Sequence, residues 1–205
     1  MAGVDLKKQL KHLYGAKAGR VEFVDVPPMN FLMIDGTGDP NTAPAYSQAV
    51  EALYGVSYAV KFAVKKRDPE QDYSVMPLEG LWWAEDMASF SVERKGDWLW
   101  TMMILQPEWV TAELVEQAIA ETARKKDLPA LPGLRFEAYH EGLAAQILHV
   151  GPYSAEGPAV QALHDAIAAE GYALSGKHHE IYLGDPRRTA PEKLKTIIRQ
   201  PAAER

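Results

Sequence analysis

Residues 178–186, HHEIYLGDP, decide how the chain is read. Ile181 and Leu183 supply the apolar side of a short strand, and Glu180 and Tyr182 share the other side, because side chains alternate along a strand. A carboxylate inside a strand beside a turn needs a reason. An earlier stretch, PLEGLWW (77–83), has the same character, with Glu79, Leu81 and Trp83 on one face. Each of these strands is followed by a similar closing strand, TMMILQP (101–107) in the first half and TIIRQP (196–201) in the second. Each half also runs strand, strand, Gly/Pro loop, helix, then further strands. These matches predict an internal duplication.

Working outward, 21–26 (VEFVDV) alternates as a strand that stops at Pro27-Pro28, and 30–36 (NFLMIDG) forms a second strand. Residues 44–54 carry Ala45, Ala49, Ala52 and Leu53 at helical spacing, and 56–66 (VSYAVKFAVKK) alternates as a strand. Residues 78–84 and 97–106 read as strands. Residues 111–127 read as an amphipathic helix capped by Thr111, with Leu114, Val115, Ala118, Ile119 and Thr122 inward. The connector DLPALPG (127–133) divides the chain. Beyond it come strands at 134–139 and 143–150, a helix at 158–170, and the strands HHEIYL and LKTIIRQP. The domain scheme is an N-terminal arm over 1–19 and one domain over 20–205, made of module one (20–127) and module two (131–205).

Composition narrows the function. The chain has 205 residues, 47% hydrophobic and 24% charged, ordinary values for a globular protein. Its 22 basic and 28 acidic residues give a net charge of −6. Nucleic acid is therefore not an expected partner, since phosphate binding needs a basic face, and cationic ligands are favoured over anionic ones. Without cysteine there is no disulfide, thiolate or cysteine-zinc chemistry. No apolar run approaches the ~18 residues of a membrane span, and residues 1–19 lack the apolar core of a secretory signal. The expectation is a cytoplasmic protein without a membrane partner, its oligomeric state left open.

No cofactor or metal is called for. GTGDP (36–40) lacks the pattern and lysine of a phosphate loop, and no G-x-S-x-G elbow presents a serine. His178 and His179 are adjacent on a strand, so they point to opposite faces and do not chelate together. Trp82 and Trp83 likewise cannot both face one core. Tyr46, Tyr54, Tyr58 and Tyr153 are candidates either for the core or for a cleft wall. Two carboxylates, Glu79 and Glu180, each with an aromatic residue two positions on, would make an acidic, ring-lined pocket if the two strands shared a seam. Rings stack on flat molecules and attract cations, and a carboxylate adds a counter-charge or a proton acceptor. The plainer alternative is that Glu180 lies exposed at a strand edge or pairs with Arg187, Arg188 or Lys193.

PLEGLWW (77–83), HVGPYSAEGPAVQALHD (149–165) and HHEIYLGDPRRTAPEKLKTIIRQP (178–201) resemble the GyrI-like small-molecule-binding family, in its stand-alone branch. The resemblance covers nearly all of 20–201. It implies an α+β fold of two pseudo-symmetric β-α-β-β modules forming an antiparallel sheet with helices packed on one side. It also implies a central acidic and aromatic pocket between the modules for amphipathic, often cationic, aromatic drugs. The ligand-binding residues would be Glu180, Glu79, Tyr182, Trp83 and Tyr153, and Glu180 matches the position of the family's acidic anchor. Some stand-alone members are similar to hydrolases that open the cyclopropane of DNA-alkylating natural products, a detoxification in which Glu180 and Tyr182 would be catalytic. Others are similar to inhibitors of DNA gyrase, a protein-interaction role. The family's regulators carry a DNA-binding domain ahead of the sensor. Only about 20 residues precede the first strand here, so direct transcription control is not expected.

Overall fold

The computed structural model describes residues 3–87 and 92–205. In chain order its helices and strands are α1 (Leu6–Gln9), α2 (Lys11–Tyr14), β1 (Glu22–Val26), β2 (Met29–Thr37), α3 (Pro44–Arg67), β3 (Leu78–Trp83), β4 (Leu99–Leu105), α4 (Ala112–Lys125), β5 (Arg135–Tyr139), β6 (Gly142–Val150), α5 (Gly157–Ala169), β7 (Tyr172–Leu174), β8 (His178–Tyr182) and β9 (Lys195–Glu204). The fold is α+β with antiparallel strand pairing. None of the described helices is long and apolar enough to cross a membrane.

The chain forms two compact units. One comprises Met1–Gln9, Met29–Met76 and Trp82–Tyr139; the other comprises Leu10–Pro28, Pro77–Leu81 and His140–Arg205. In the first unit β2 lies between β4 and β5, with Phe31 opposite Leu105 on one side and Glu137 on the other. Helix α3 covers β2 and β4 and runs beside α4. Thr111 caps α4, its hydroxyl accepting from the Leu114 amide at 3.3 Å, and Val115, Ala118 and Thr122 are the buried face. A cap of this kind is worth about 1 kcal/mol.

Residues 56–66, which alternate in sequence, are not a strand. They continue α3 to Arg67. Val56, Val60 and Val64 satisfy a period of two, but with Ala49 and Leu53 they also repeat every three or four residues, and together with Ala52 and Ser57 they form the buried stripe. Tyr58 and Phe62, the other members of the alternating set, are exposed on the outer surface of the helix. Gly55 does not interrupt it.

Gly36 marks a close approach. It pairs with Trp100 across β2 and β4, and a Cβ at this position would fall inside the Trp100 indole. Trp100 is fully buried, so the ring has nowhere to move. Gly36→Ala is expected to cost about 1–3 kcal/mol by overpacking. A urea titration checks this, with a lower midpoint at an unchanged slope.

In the second unit the strand order is β1-β6-β9-β8, with β7 added to β9. Helix α5 lies on β6, β7 and β9. Its Leu163 and Ile167 pack with Ala145, Ile147, Ile198 and Ala202. Burying side chains of this size contributes roughly 1.5–3 kcal/mol each. β1, from the first part of the sequence, pairs with β6 in this unit, whereas β5 pairs with β2 in the other. Pro27-Pro28 lies between β1 and β2, where two consecutive residues without an amide N–H suit a crossover better than a hairpin.

Candidate functional site

The cross-strand register of the second unit sets its polar side chains in a row. Gln146 of β6 is opposite Arg199 of β9, and Arg199 is opposite His179 of β8. All three lie on the sheet face turned away from α5, since Ala145, Ile147 and Ile198 occupy the α5 face. Each is polar, and each is buried. Such a group must find a partner, because an unpaired buried charge costs several kcal/mol.

The partners form a continuous chain. Tyr14 of α2 donates its hydroxyl to Glu79 Oε1 at 2.6 Å. Glu79 Oε2 is 3.0 Å from His179 Nε2, and His179 Nδ1 is 3.0 Å from both oxygens of Glu141. Arg199 Nη1 donates to Glu141 Oε2 at 3.0 Å. Its Nε and Nη2 donate to Gln146 Oε1 at 3.1 and 3.0 Å, and Nη2 also donates to the Leu13 carbonyl at 2.7 Å. Gln146 Nε2 donates to the His12 carbonyl at 2.8 Å. The N-terminal segment is thus held on this face by its backbone carbonyls, with Leu13 and Tyr14 buried. The side chains of Glu79, Glu141, His179 and Arg199 are 0–1% exposed.

These contacts shift the protonation equilibria in opposite senses. Burial pulls the His179 imidazole towards neutrality, but the Glu141 charge and hydrogen bond, helped by Glu79, outweigh it and raise its pKa to about 9. Burial pushes Glu141 up, and the charges and hydrogen bonds of His179 and Arg199 bring it down to about 2. Burial, then the Glu79 charge, raises the Tyr14 hydroxyl well above its ordinary value, so Tyr14 remains a donor.

The signs fix a pH window for stability. His179 contributes fully below its ordinary pKa of 6.5, and its contribution is lost as pH rises through about 9. Glu141 contributes fully above its ordinary 4.5 and loses its contribution as pH falls through about 2. Stability is therefore expected to be level between roughly pH 4.5 and 6.5 with respect to this pair, and to fall on both sides. Thermal melts from pH 2 to 10 check it. Tyr14→Phe removes one donor from a buried carboxylate and is expected to cost about 1–3 kcal/mol by denaturant titration.

Glu180 belongs to a different cluster. It pairs across β8 and β9 with Ile198, so it lies on the α5 face of the sheet, opposite to His179. His178 Nε2 is 3.2 Å from Glu180 Oε1, and Tyr182 Oη donates to Glu180 Oε2 at 2.8 Å. The Glu180 side chain is 15% exposed. Burial acts to raise its pKa, but the His178 and Tyr182 hydrogen bonds and the charges of His178 and His179 lower it overall. Tyr153, in the short 3-10 turn Tyr153–Ala155, sets its ring edge-on to Tyr182, with centroids 5.7 Å apart and planes at 80°. Burial, then the Glu180 charge, raises the Tyr153 hydroxyl to about 12.

The residues singled out in the sequence therefore separate. Glu180, Tyr182 and Tyr153 come together around one half-buried carboxylate. Glu79 does not join them: it is bound to Tyr14 and His179 on the other face. Trp83 is half-buried at the end of β3, in the other compact unit. Trp82 is buried, edge-on to Trp98 and stacked on Tyr46. Glu180 is not exposed, and the contacts described hold it by His178 and Tyr182, while Arg187 bonds Asp185. His178 and His179 point to opposite faces, as alternation requires. Glu141, Arg199 and Tyr14 are not singled out by the motifs, and His178 and His179 enter the sequence reading only as a pair unable to chelate one metal. Gln146 and Arg199, polar residues within apolar strands, carried the signal.

The second unit thus carries a buried polar row on one sheet face and a tyrosine-flanked carboxylate on the other. Residues 20–202 match the GyrI-like small molecule binding domain, and the chain belongs to that family. It is similar over 98% of its length to an uncharacterized conserved protein from Listeria innocua, at 39% identity, a TM-score of 0.90 and full coverage of that chain. A hydrolase from Listeria innocua is similar at 38% identity and a TM-score of 0.84, again over 98% of this chain and 100% of that one. The EcmrR C-terminal domain shares the fold at 12% identity and a TM-score of 0.56, over 91% of this chain and 98% of that one. No curated protein matches.

Proposed function

We propose that the protein binds amphipathic, often cationic, aromatic small molecules at Glu180, with Tyr182 and Tyr153 as the ring surfaces. The observation that carries this reading is a carboxylate at 15% exposure that accepts the Tyr182 hydroxyl, with the Tyr153 ring set edge-on to Tyr182. A charge poised there gains more from a ligand cation than it would in bulk water. The rings add contact area and cation–π attraction. The net charge of −6 draws in the same ligand class. The test is a panel of fluorescent lipophilic cations, such as rhodamines, with uncharged analogues alongside. Saturable binding of the cations, weakened in Tyr153→Ala, is the expected result. A panel with no saturable binder overturns the reading.

A second reading, hydrolysis, is favoured by the Tyr182 hydroxyl on Glu180 and by the 38%-identical relative described as a hydrolase. An electrophilic cyclopropane opens when water adds to a ring carbon. Glu180 would take the proton from that water as the new C–O bond forms. The strained C–C bond breaks, and its electron pair moves into the conjugated acceptor. That acceptor then takes up a proton, while the Tyr182 or Tyr153 hydroxyl hydrogen-bonds the developing anion. The product is the substrate plus one water, a mass change that mass spectrometry reads directly. Unchanged substrate after incubation with the wild type removes this second reading and leaves the first.

A further inference from the structure

Glu180 has a charged neighbour behind it. His179 leaves the same strand on the opposite face, where both ring nitrogens meet carboxylates: Nδ1 is 3.0 Å from Glu141 and Nε2 is 3.0 Å from Glu79. A neutral imidazole carries a proton on one nitrogen and a lone pair on the other. A lone pair aimed at a carboxylate oxygen is repulsive, so the two-sided contact is satisfied by an imidazolium. Charges then balance within the buried chain, with Glu79 and Glu141 against His179 and Arg199. The Tyr14 hydroxyl takes one of the remaining lone pairs of Glu79.

We infer that His179 is a positioning residue for Glu180: clamped between Glu79 and Glu141, it fixes β8 against its neighbours and holds a positive charge behind the Glu180 carboxylate at neutral pH. This rests on the proposed role of Glu180 as anchor or base. A carboxylate at 15% exposure tends to take up a proton, and once neutral it serves neither role. The His179 charge opposes that, and it is one of the influences that lower the Glu180 pKa, behind those of His178 and Tyr182. The groups facing His179 are Glu79 from β3, Glu141 ahead of β6 and Arg199 from β9, with Tyr14 of α2 behind Glu79. Those around Glu180 are His178 and Tyr182 on β8 and Tyr153. His164 of α5 feels the His178 charge, its own pKa lowered by burial and then by His178.

Two NMR readouts test this without a ligand, so their failure is separable from failure of the binding reading. In the wild type, both His179 ring nitrogens are expected to carry protons at pH 7. An unprotonated ring nitrogen there overturns the inference, and this holds whether or not any variant folds. In His179→Gln, the carboxyl carbon of Glu180 is expected to titrate at a higher pH than in the wild type. A role in folding alone would lower stability without moving that midpoint. An unmoved midpoint in a folded variant therefore overturns the inference. Dye binding that fails in a protein with the expected titrations would remove the ligand reading instead.

Discussion

Glu180→Gln is expected to weaken binding of a lipophilic cation by tenfold or more, while leaving an uncharged analogue of the same shape within about threefold. The substitution keeps the size and one acceptor oxygen of the side chain and removes its charge. The carboxylate sits at 15% exposure, between bulk water and the interior, where a single opposite charge is worth more than the ~1 kcal/mol it earns in water at contact. Tenfold in affinity corresponds to about 1.4 kcal/mol, within what one half-desolvated charge supplies. Tyr182 and His178 each retain a hydrogen-bonding oxygen or nitrogen at the variant, so the strand is expected to keep its place. If the protein also hydrolyses an electrophilic ring, the same variant loses its proton acceptor, and turnover is expected to fall about 10²–10⁴-fold. Fluorescence titration reads the first effect and mass spectrometry the second. Equal loss for charged and uncharged ligands would show that shape, not charge, is what Glu180 contributes.

The largest effect on stability is expected at Arg199. Its side chain is 1% exposed and donates to Glu141, Gln146 and the Leu13 carbonyl. Arg199→Met keeps much of the volume but leaves Glu141 with His179 as the sole cation at its carboxylate among the contacts described, and it frees a buried carbonyl on the N-terminal segment. Breaking a buried ion pair from one side costs about 3–5 kcal/mol, because the other charge stays buried. That is a large part of the 5–15 kcal/mol by which a typical domain is stable. Arg199→Lys is expected to fail as well, since an ammonium cannot reproduce the fork that spans three acceptors. Arg187→Met makes the contrast: Arg187 pairs with Asp185 at the surface, and its loss is expected to cost less than about 1 kcal/mol. A urea midpoint for Arg199→Met close to that of the wild type would mean that the buried chain does not hold the unit together.

Local patterns made most strands readable. EFVDV, LAAQILHV and HHEIY alternate or run apolar between turn residues, and they form β1, β6 and β8. The capped helix α4 followed from Thr111 and its apolar spacing for the same reason. The second half of α3 was ambiguous because valines at 56, 60 and 64 fit both periods; the exposed Tyr58 and Phe62 show which one the packing chose. The pairing of β1 with β6 and β5 with β2 is a matter of tertiary contact that no local pattern encodes.

The site was legible to the same limit. Glu180 with Tyr182 could be read because i and i+2 share a strand face. The separation of Glu79 from Glu180 could not, because it depends on which face of β8 meets Glu79. His179, one position from Glu180, takes Glu79 to the far side. Tyr14 and Glu141 lie 65 and 38 residues from the partners they meet. What the sequence did carry was a charge and an amide, Arg199 and Gln146, in strands otherwise fit for a core.

A crystal structure with a bound lipophilic cation tests the central claim most directly. The ligand is expected against the Tyr153 and Tyr182 rings, with its positive centre within about 6 Å of those rings and nearest to the Glu180 carboxylate. A saturating ligand bound elsewhere, with Glu180 still held only by His178 and Tyr182, would contradict it.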